Sequence, residues 1–314
     1  MNSRLHPKYK TRYRVTNWPE YERGLVQRGD FTAWLSPAAI EAWNAKPSRR
    51  RGAPRKYSDL AIETALMLRL VFHLPLRQTE GFLNSLFEMM GLDLSAPDHT
   101  TLSRRSQQLN VKLRRIPTKG AIHLLVDSSG LSIVGEGEWA AAKHGKRGKR
   151  GWMKLHIGVD EAGAIVAQEL TDATGDDAST GLRLIDAVNT DIKSLTGDAA
   201  YDTLAIYDAG TSRGAKVVVP PFKTAVVSKR GPRSRARDRT IRGINKIGRR
   251  RWKKESGYHR QGTVENAFFR YKQIVGDRLR ARHPDAQKTE TVIACNVLNR
   301  MLELGRPKSR ARAA

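Results

Sequence analysis

Ile122-His123-Leu124-Leu125-Val126-Asp127-Ser128-Ser129-Gly130 marks the point at which this chain changes character. Before it, apolar residues recur at helical spacing; after it, short apolar runs alternate with turn residues. Ile122 to Val126 predicts a short buried strand that ends at Asp127. Leu131 to Val134, Met153 to Val159 and Ala164 to Leu170 predict further strands, with Glu161-Ala162-Gly163 as a hairpin turn. A helix is expected over Leu182 to Val188. Ile192 to Thr196 then predicts a strand that delivers Gly197-Asp198-Ala199-Ala200-Tyr201-Asp202, followed by a helix from Thr203 to about Ala209. Lys216 to Val219 is the last strand, stopped by Pro220-Pro221.

Upstream, residues 1–56 carry Trp18, Trp34 and Trp43 between polar runs and predict short helices, one started by Ser36-Pro37. Arg49 to Lys56 is a basic, Gly/Pro-broken connector that suits a phosphate backbone or a minor groove, or is simply a solvated linker. Leu60 to Phe72 and Leu76 to Met90 predict two helices, with Ser58 as a cap and Gly91 as a stop. Asp98 caps a third, whose Leu102, Leu109 and Leu113 face inward while His99, Thr101, Arg104 and Arg105 face out. Residues 57–116 therefore read either as a helix-turn-helix-like DNA reader or as a plain helical bundle. Ile116 to Gly120 is the expected boundary before a second domain, residues 120–304.

With 57 Lys and Arg against 31 Asp and Glu, the 314-residue chain has a formal charge of +26, which implies a polyanionic partner, nucleic acid being the commonest. No apolar run approaches the ~18 residues of a spanning helix, and Met1 to Lys10 lacks the apolar core of a signal peptide. These features favour a bacterial cytoplasm or similar compartment and argue against a membrane partner. Much of the charge is clustered. Lys143 to Arg150, including Lys146 and Arg147, reads as a flexible cationic loop; Thr224 to Lys254, including Arg249, Arg250 and Arg251, reads as a solvated loop or a DNA contact. The tail from residue 305, Arg306-Pro307-Lys308-Ser309-Arg310 within it, is expected to be disordered.

Cys295 is the single cysteine and the eight histidines form no close pair, so disulfides and Cys-based zinc sites are excluded. Any catalytic metal must be held mainly by carboxylates, which points to Mg²⁺ or Mn²⁺. Asp127 and Asp198 stand at predicted strand ends. A third acid, Glu265, lies in Tyr258-His259-Arg260-Gln261-Gly262-Thr263-Val264-Glu265-Asn266-Ala267-Phe268-Phe269-Arg270-Tyr271-Lys272. There Val264, Phe268, Tyr271 and Val275 form an apolar helical stripe, with Glu265 and Lys272 along one edge. Read from the residues alone, each Asp also suits a turn cap, the helix suits a plain core helix, and Asp160, Asp172, Asp176, Asp177 and Asp202 compete for the same role.

Taken together, these segments resemble a DDE transposase of a bacterial insertion sequence, in the insertion-sequence-five group, over nearly the whole chain. The resemblance rests on Asn17-Trp18-Pro19-Glu20-Tyr21, on Tyr57 to Arg105 with Pro97-Asp98-His99-Thr100-Thr101-Leu102-Ser103, on Asp127-Ser128-Ser129-Gly130-Leu131, on Gly197 to Asp202 and on Tyr258 to Lys272. The family's C-terminal signature is Tyr, two residues, Arg, three residues, Glu, six residues, Lys. Tyr258, Glu265 and Lys272 match it in register, but the Arg position holds Gln261, with Arg260 one residue early.

The resemblance implies an α/β fold: an RNase H-like mixed-sheet catalytic core with an N-terminal helical, helix-turn-helix-like DNA-binding region. The catalytic and metal-holding triad falls on Asp127, Asp198 and Glu265, with two Mg²⁺ or Mn²⁺ ions, Asp127 bridging them. Tyr258, Arg260, Gln261, Lys272, Arg104, Arg105, Lys146, Arg147 and Arg249 to Arg251 are expected to contact DNA. Residues 223–257 would be a basic insertion. The implied activity is metal-dependent cleavage at terminal inverted repeats and joining of the 3′ ends to target DNA, by a homodimer in the DNA complex, in the bacterial nucleoid. A catalytically idle DNA-binding descendant and a structure-selective nuclease are the alternatives.

Overall fold

A computed structural model describes residues 13–47, 54–133, 151–228 and 231–311. The cationic loop with Lys146 and Arg147, and Arg49 to Arg51 of the connector, lie outside the described residues. The chain begins with β1 (Tyr13–Val15), α1 (Trp18–Gln27) and α2 (Pro37–Glu41), followed by α3 (Asp59–Val71), α4 (Leu76–Met89) and α5 (His99–Ser106). Local chemistry fixes these helix starts: Ser36, Ser58 and Asp98 accept hydrogen bonds from the otherwise unpaired first-turn amides of α2, α3 and α5. The third helix is shorter than expected. Leu109 and Leu113 follow α5 on extended chain, half-buried against the core.

The central sheet starts at β2 (Ile122–Ile133), one 12-residue strand where two shorter ones were expected. β3 (Trp152–Val159) pairs with it from Leu125↔Val159 to Ser132↔Trp152, so the polar Asp127 to Gly130 are carried through by ladder bonds. Asp127 therefore sits within a strand, not at its end. β4 (Ile165–Asp172) completes an antiparallel trio, and α6 (Asp177–Ala187) crosses to β5 (Ile192–Thr196), parallel to β2. α7 (Leu204–Ser212) leads to β6 (Lys216–Val218), also parallel. Strand order is β4-β3-β2-β5-β6, a mixed sheet.

The basic stretch after β6 is not a loop. It forms α8 (Arg235–Ile247) and α9 (Arg249–Ser256), with Ile241 and Asp238 buried on the inner side of α8. α10 (Gly262–Ile274) follows. β7 (Arg278–Leu279) pairs with the end of β2, α11 (Pro284–Leu304) crosses the molecule, and β8 (Ser309–Ala311) pairs antiparallel with β1. Part of the tail expected to be disordered is thus a strand.

Two apolar cores sandwich the sheet, as the period-two alternation of its strands requires. Ile122, Leu124 and Val126 pack with α6 and α7. Leu125, Leu131, Leu155 and Ile157 face the other way, into a core shared with α10, α11 and the N-terminal helices; Trp34, Trp43, Ile62 and Leu102 belong to it. The N-terminal helices thus share a core with the sheet rather than enclosing one of their own. No described helix is long and apolar enough to cross a membrane.

Candidate active site

Register brings the first two acids together. Leu125 of β2 is paired with Thr196, the last residue of β5, and two residues further along each chain stand Asp127 and Asp198. Neighbouring strands lie about 4.8 Å apart, so Asp198, just past the end of β5, stands beside Asp127 within β2. Asp198 starts a 3₁₀ turn, Ala199–Tyr201, and accepts a hydrogen bond from the Ala200 amide at 2.9 Å. Gly197 is required before it. A Cβ there would stand 2.9 Å from the Tyr201 ring, closer than van der Waals contact allows.

The third acid arrives on α10. Gly257, with φ of 86°, turns the chain into a 3₁₀ turn, Tyr258–Gln261, which runs directly into that helix. Gln261 donates from Nε2 to the carbonyl oxygen of Val126 at 3.1 Å. One turn later Glu265 is exposed in the first turn of α10, where the positive end of the helix dipole favours a carboxylate. Val264, Phe268, Tyr271 and Val275, the expected apolar stripe, are all buried beneath it.

The electrostatics around these acids are dominated by negative charge. Burial, and then the negative charges of Asp198, Glu265 and Asp177, raise the Asp127 carboxyl to about 6, against the lowering effect of the Ser128 amide. Burial followed by the charges of Asp198, Glu265 and Asp127 raises the Tyr258 phenol. Tyr201 is also pushed up by burial and the surrounding acids, and its hydroxyl is buried with no partner. Despite the basic chain, Asp127, Asp198 and Glu265 form no ion pair among the described residues. Nor do any three His, Cys, Asp or Glu side chains among the described residues form a ready-made metal cluster. The donor set is nonetheless all carboxylate oxygen, electron-rich and uncompensated, which fits hard divalent cations.

The competing acids are occupied elsewhere. Asp202, with a fully buried side chain, holds Arg237 of α8 through bonds of 2.8 and 2.7 Å. Asp160 accepts the Ala162 and Ala164 amides of the hairpin turn, Asp176 caps α6, and Asp172 accepts from Thr174. Asp177 pairs with Lys154 at 2.6 Å and stands 3.4 Å from the buried His156. The Asp160, Asp172 and Asp176 contacts are local turns and caps, whereas the partners of Asp202 and Asp177 lie 35 and 23 residues away and are not visible in sequence.

The expected DNA contacts divide. Gln261 is only 3% exposed and cannot reach DNA; the side chain is a strut between α10 and β2. Arg105 does not face out either: its guanidinium bonds Asp59 at 2.5 Å and the Tyr57 carbonyl, with 13% of the side chain exposed. Arg104 is exposed on α5. Arg249 donates to the Pro221 carbonyl, Arg251 pairs with Glu255, and Arg250 is exposed. Arg260 and Lys272 are half-buried with no acidic partner among the described residues.

Residues 118–300, more than half of the chain, match a family model described as Transposase DDE domain, and residues 26–136 match a second model of the same description.

Proposed function

Because the chain belongs to the family of transposases with a DDE domain, we propose that it is the transposase of a bacterial insertion sequence of the insertion-sequence-five type. It binds the terminal inverted repeats of its element, cuts the DNA there and joins the 3′ ends to a target. The observation that carries this reading is that Asp127, Asp198 and Glu265 lie near enough for the charges of the other two to raise the Asp127 carboxyl, with no ion pair to any of them among the described residues.

Asp127, Asp198 and Glu265 would hold two Mg²⁺ or Mn²⁺ ions, which supply an activated oxygen nucleophile and stabilise the departing 3′-oxygen of a phosphodiester. The residues' own work is positional. β2 and β5 hold the two aspartates at one level, and Gln261 fixes the helix bearing Glu265 against β2. Lys272 and Arg260 would grip phosphates flanking the scissile one, as point charge and fork respectively. The exposed cations of α8 and α9, Arg235, Arg239, Arg242 and Arg250 among them, extend that positive surface. The N-terminal helices, with Arg104 on α5, would read the element ends. Holding two ends together calls for a homodimer in the DNA complex, acting on nucleoid DNA in the cytoplasm.

Glu265→Gln is the decisive test. The variant should bind an inverted-repeat duplex within a few-fold of wild type while cleavage and strand transfer disappear at every Mg²⁺ or Mn²⁺ concentration. Wild-type cleavage by that variant would remove Glu265 from the chemistry. Cleavage by the unmodified protein that needs no particular end sequence would make it a structure-selective nuclease.

A further inference from the structure

Some distance from the three acids, a cleft of about 390 Å³ opens between α3, α5 and the start of α11. Its walls carry Arg69, Arg280 and Arg282, with Ser103 and Gln107 contributed by α5. Glu290 is the one acid among the lining residues, and both its carboxylate oxygens already accept backbone amides, from Arg280 and Ala281, at 2.8 Å each. Its nearest approach to Arg69 is 4.0 Å. Three arginines and one carboxylate thus line the cleft, an excess of two positive charges in a partly enclosed space.

Two details mark the cleft as built to hold a ligand. Arg69 is 8% exposed, and its Nε is buried with no hydrogen-bond partner. Its guanidinium is thus largely removed from water and met only by Glu290 at 4.0 Å, which favours an anion beside it. Arg280 is held in place by an unusual loop: its Nη2 bonds His73 Nδ1 at 2.9 Å, and His73 has the one positive φ among described non-glycine residues, 56°. Backbone strain of this kind persists where surrounding structure over-determines it, and it recurs at binding sites.

The position relative to the acids is also defined. β7, immediately before Arg280, pairs with β2 at Ser132 and Ile133, and Asp127 lies five residues earlier on that strand. At about 3.3 Å per residue β2 rises roughly 17 Å from Asp127 to Ser132, and Arg280 lies two residues beyond Arg278, the partner of Ser132. We propose that this cleft is a second phosphate-binding site, which takes a backbone phosphate of the element-end DNA away from the scissile position. The anion is recognised by the guanidinium groups of Arg280 and Arg282, with the charge of Arg69 behind them and Ser103 of α5 beside them. This inference rests on the transposase reading for the identity of the ligand, but not for the existence of the site.

Two measurements on the full chain separate those claims. In thermal unfolding, inorganic phosphate should raise Tm above sodium chloride at equal ionic strength, and the rise should vanish in Arg282→Gln, an exposed position where folding is not at risk. No phosphate-specific rise in the wild type would overturn the site. In fluorescence anisotropy with an end duplex, Arg282→Gln and Arg280→Gln should each weaken binding on the order of tenfold and reduce the slope of log K against log salt by about 0.9. Phosphate stabilisation with unchanged DNA slopes would mean that the cleft takes a free anion, overturning the DNA assignment. If the wild type binds no element end at all, the transposase reading fails, and the phosphate titration still decides whether the cleft binds an anion.

Discussion

The side-chain amide of Gln261 donates to the main-chain carbonyl of Val126 at 3.1 Å, tying the helix that bears Glu265 to the strand residue immediately before Asp127. In the signature that the sequence resembles, this position is an arginine. Here it is a buried neutral strut, and its Oε1 has no partner.

That geometry makes opposite demands of two replacements. Gln261→Met keeps the volume, loses one neutral hydrogen bond and removes the orphan oxygen, so stability should stay within about 1 kcal/mol of wild type. Cleavage should nevertheless fall about 10- to 100-fold, because the Asp127 to Glu265 spacing is no longer fixed. Gln261→Arg places a guanidinium where only 3% of the residue is exposed and should cost about 2 kcal/mol or more. Urea unfolding beside a cleavage assay reads both. An arginine variant as stable as wild type would show that the position is open to solvent.

The Asp127 carboxyl predicts a pH dependence. Its value in the folded protein, about 6, is above the unfolded 3.8, so the folded state binds the proton more tightly. The associated stability is fully present below pH 3.8 and is lost as pH rises through about 6. Above that pH, without divalent ions, Asp127→Asn should therefore be more stable than wild type, by on the order of 1–3 kcal/mol. The advantage should shrink towards pH 4 and be reversed by Mg²⁺, which the variant binds poorly. Unfolding at pH 4.5 and 7.5, with and without Mg²⁺, checks the sign; a variant less stable than wild type at pH 7.5 without metal would contradict it.

Asp198 and Asp202 are four residues apart and carry opposite roles. Asp202→Ala leaves Arg237, 15% exposed at its side chain, without its bidentate partner and should cost about 3–5 kcal/mol. Asp198→Ala removes one turn-capping bond, for about 1 kcal/mol, and should abolish cleavage. The pair separates a structural acid from a reactive one by thermal unfolding and activity measured side by side.

Truncation after Gly305 removes β8. It deletes the pairing of Tyr13 to Val15 with Ser309 to Ala311 and the bonds from Thr16 and Asn17 to the carbonyls of Lys308 and Arg306. Amide exchange at residues 13–17 should accelerate while protection in β2, β3 and β5 is unchanged. Unchanged protection at the N-terminus would mean that the two strands do not pair in solution.

Local pattern alone was enough for the helices capped by Ser36, Ser58 and Asp98, for the sheet strands around Ile122, Met153, Ile192 and Lys216, and for the apolar stripe under Glu265. Those features depend on spacing within one turn or one pleat, which any short window of sequence contains. It was silent wherever a partner comes from far along the chain. Arg105 turns inward because Asp59 and the Tyr57 carbonyl await it, and Asp202 is structural because Arg237 reaches back to it from a helix that looked like a cationic loop. β2 runs on through Asp127 because β3 supplies its ladder bonds, and the tail is ordered because β1 does the same for β8. Gln261 is the clearest case. Its side chain could have been a DNA contact or a strut, and only the burial of its amide against Val126, 135 residues earlier, decided which.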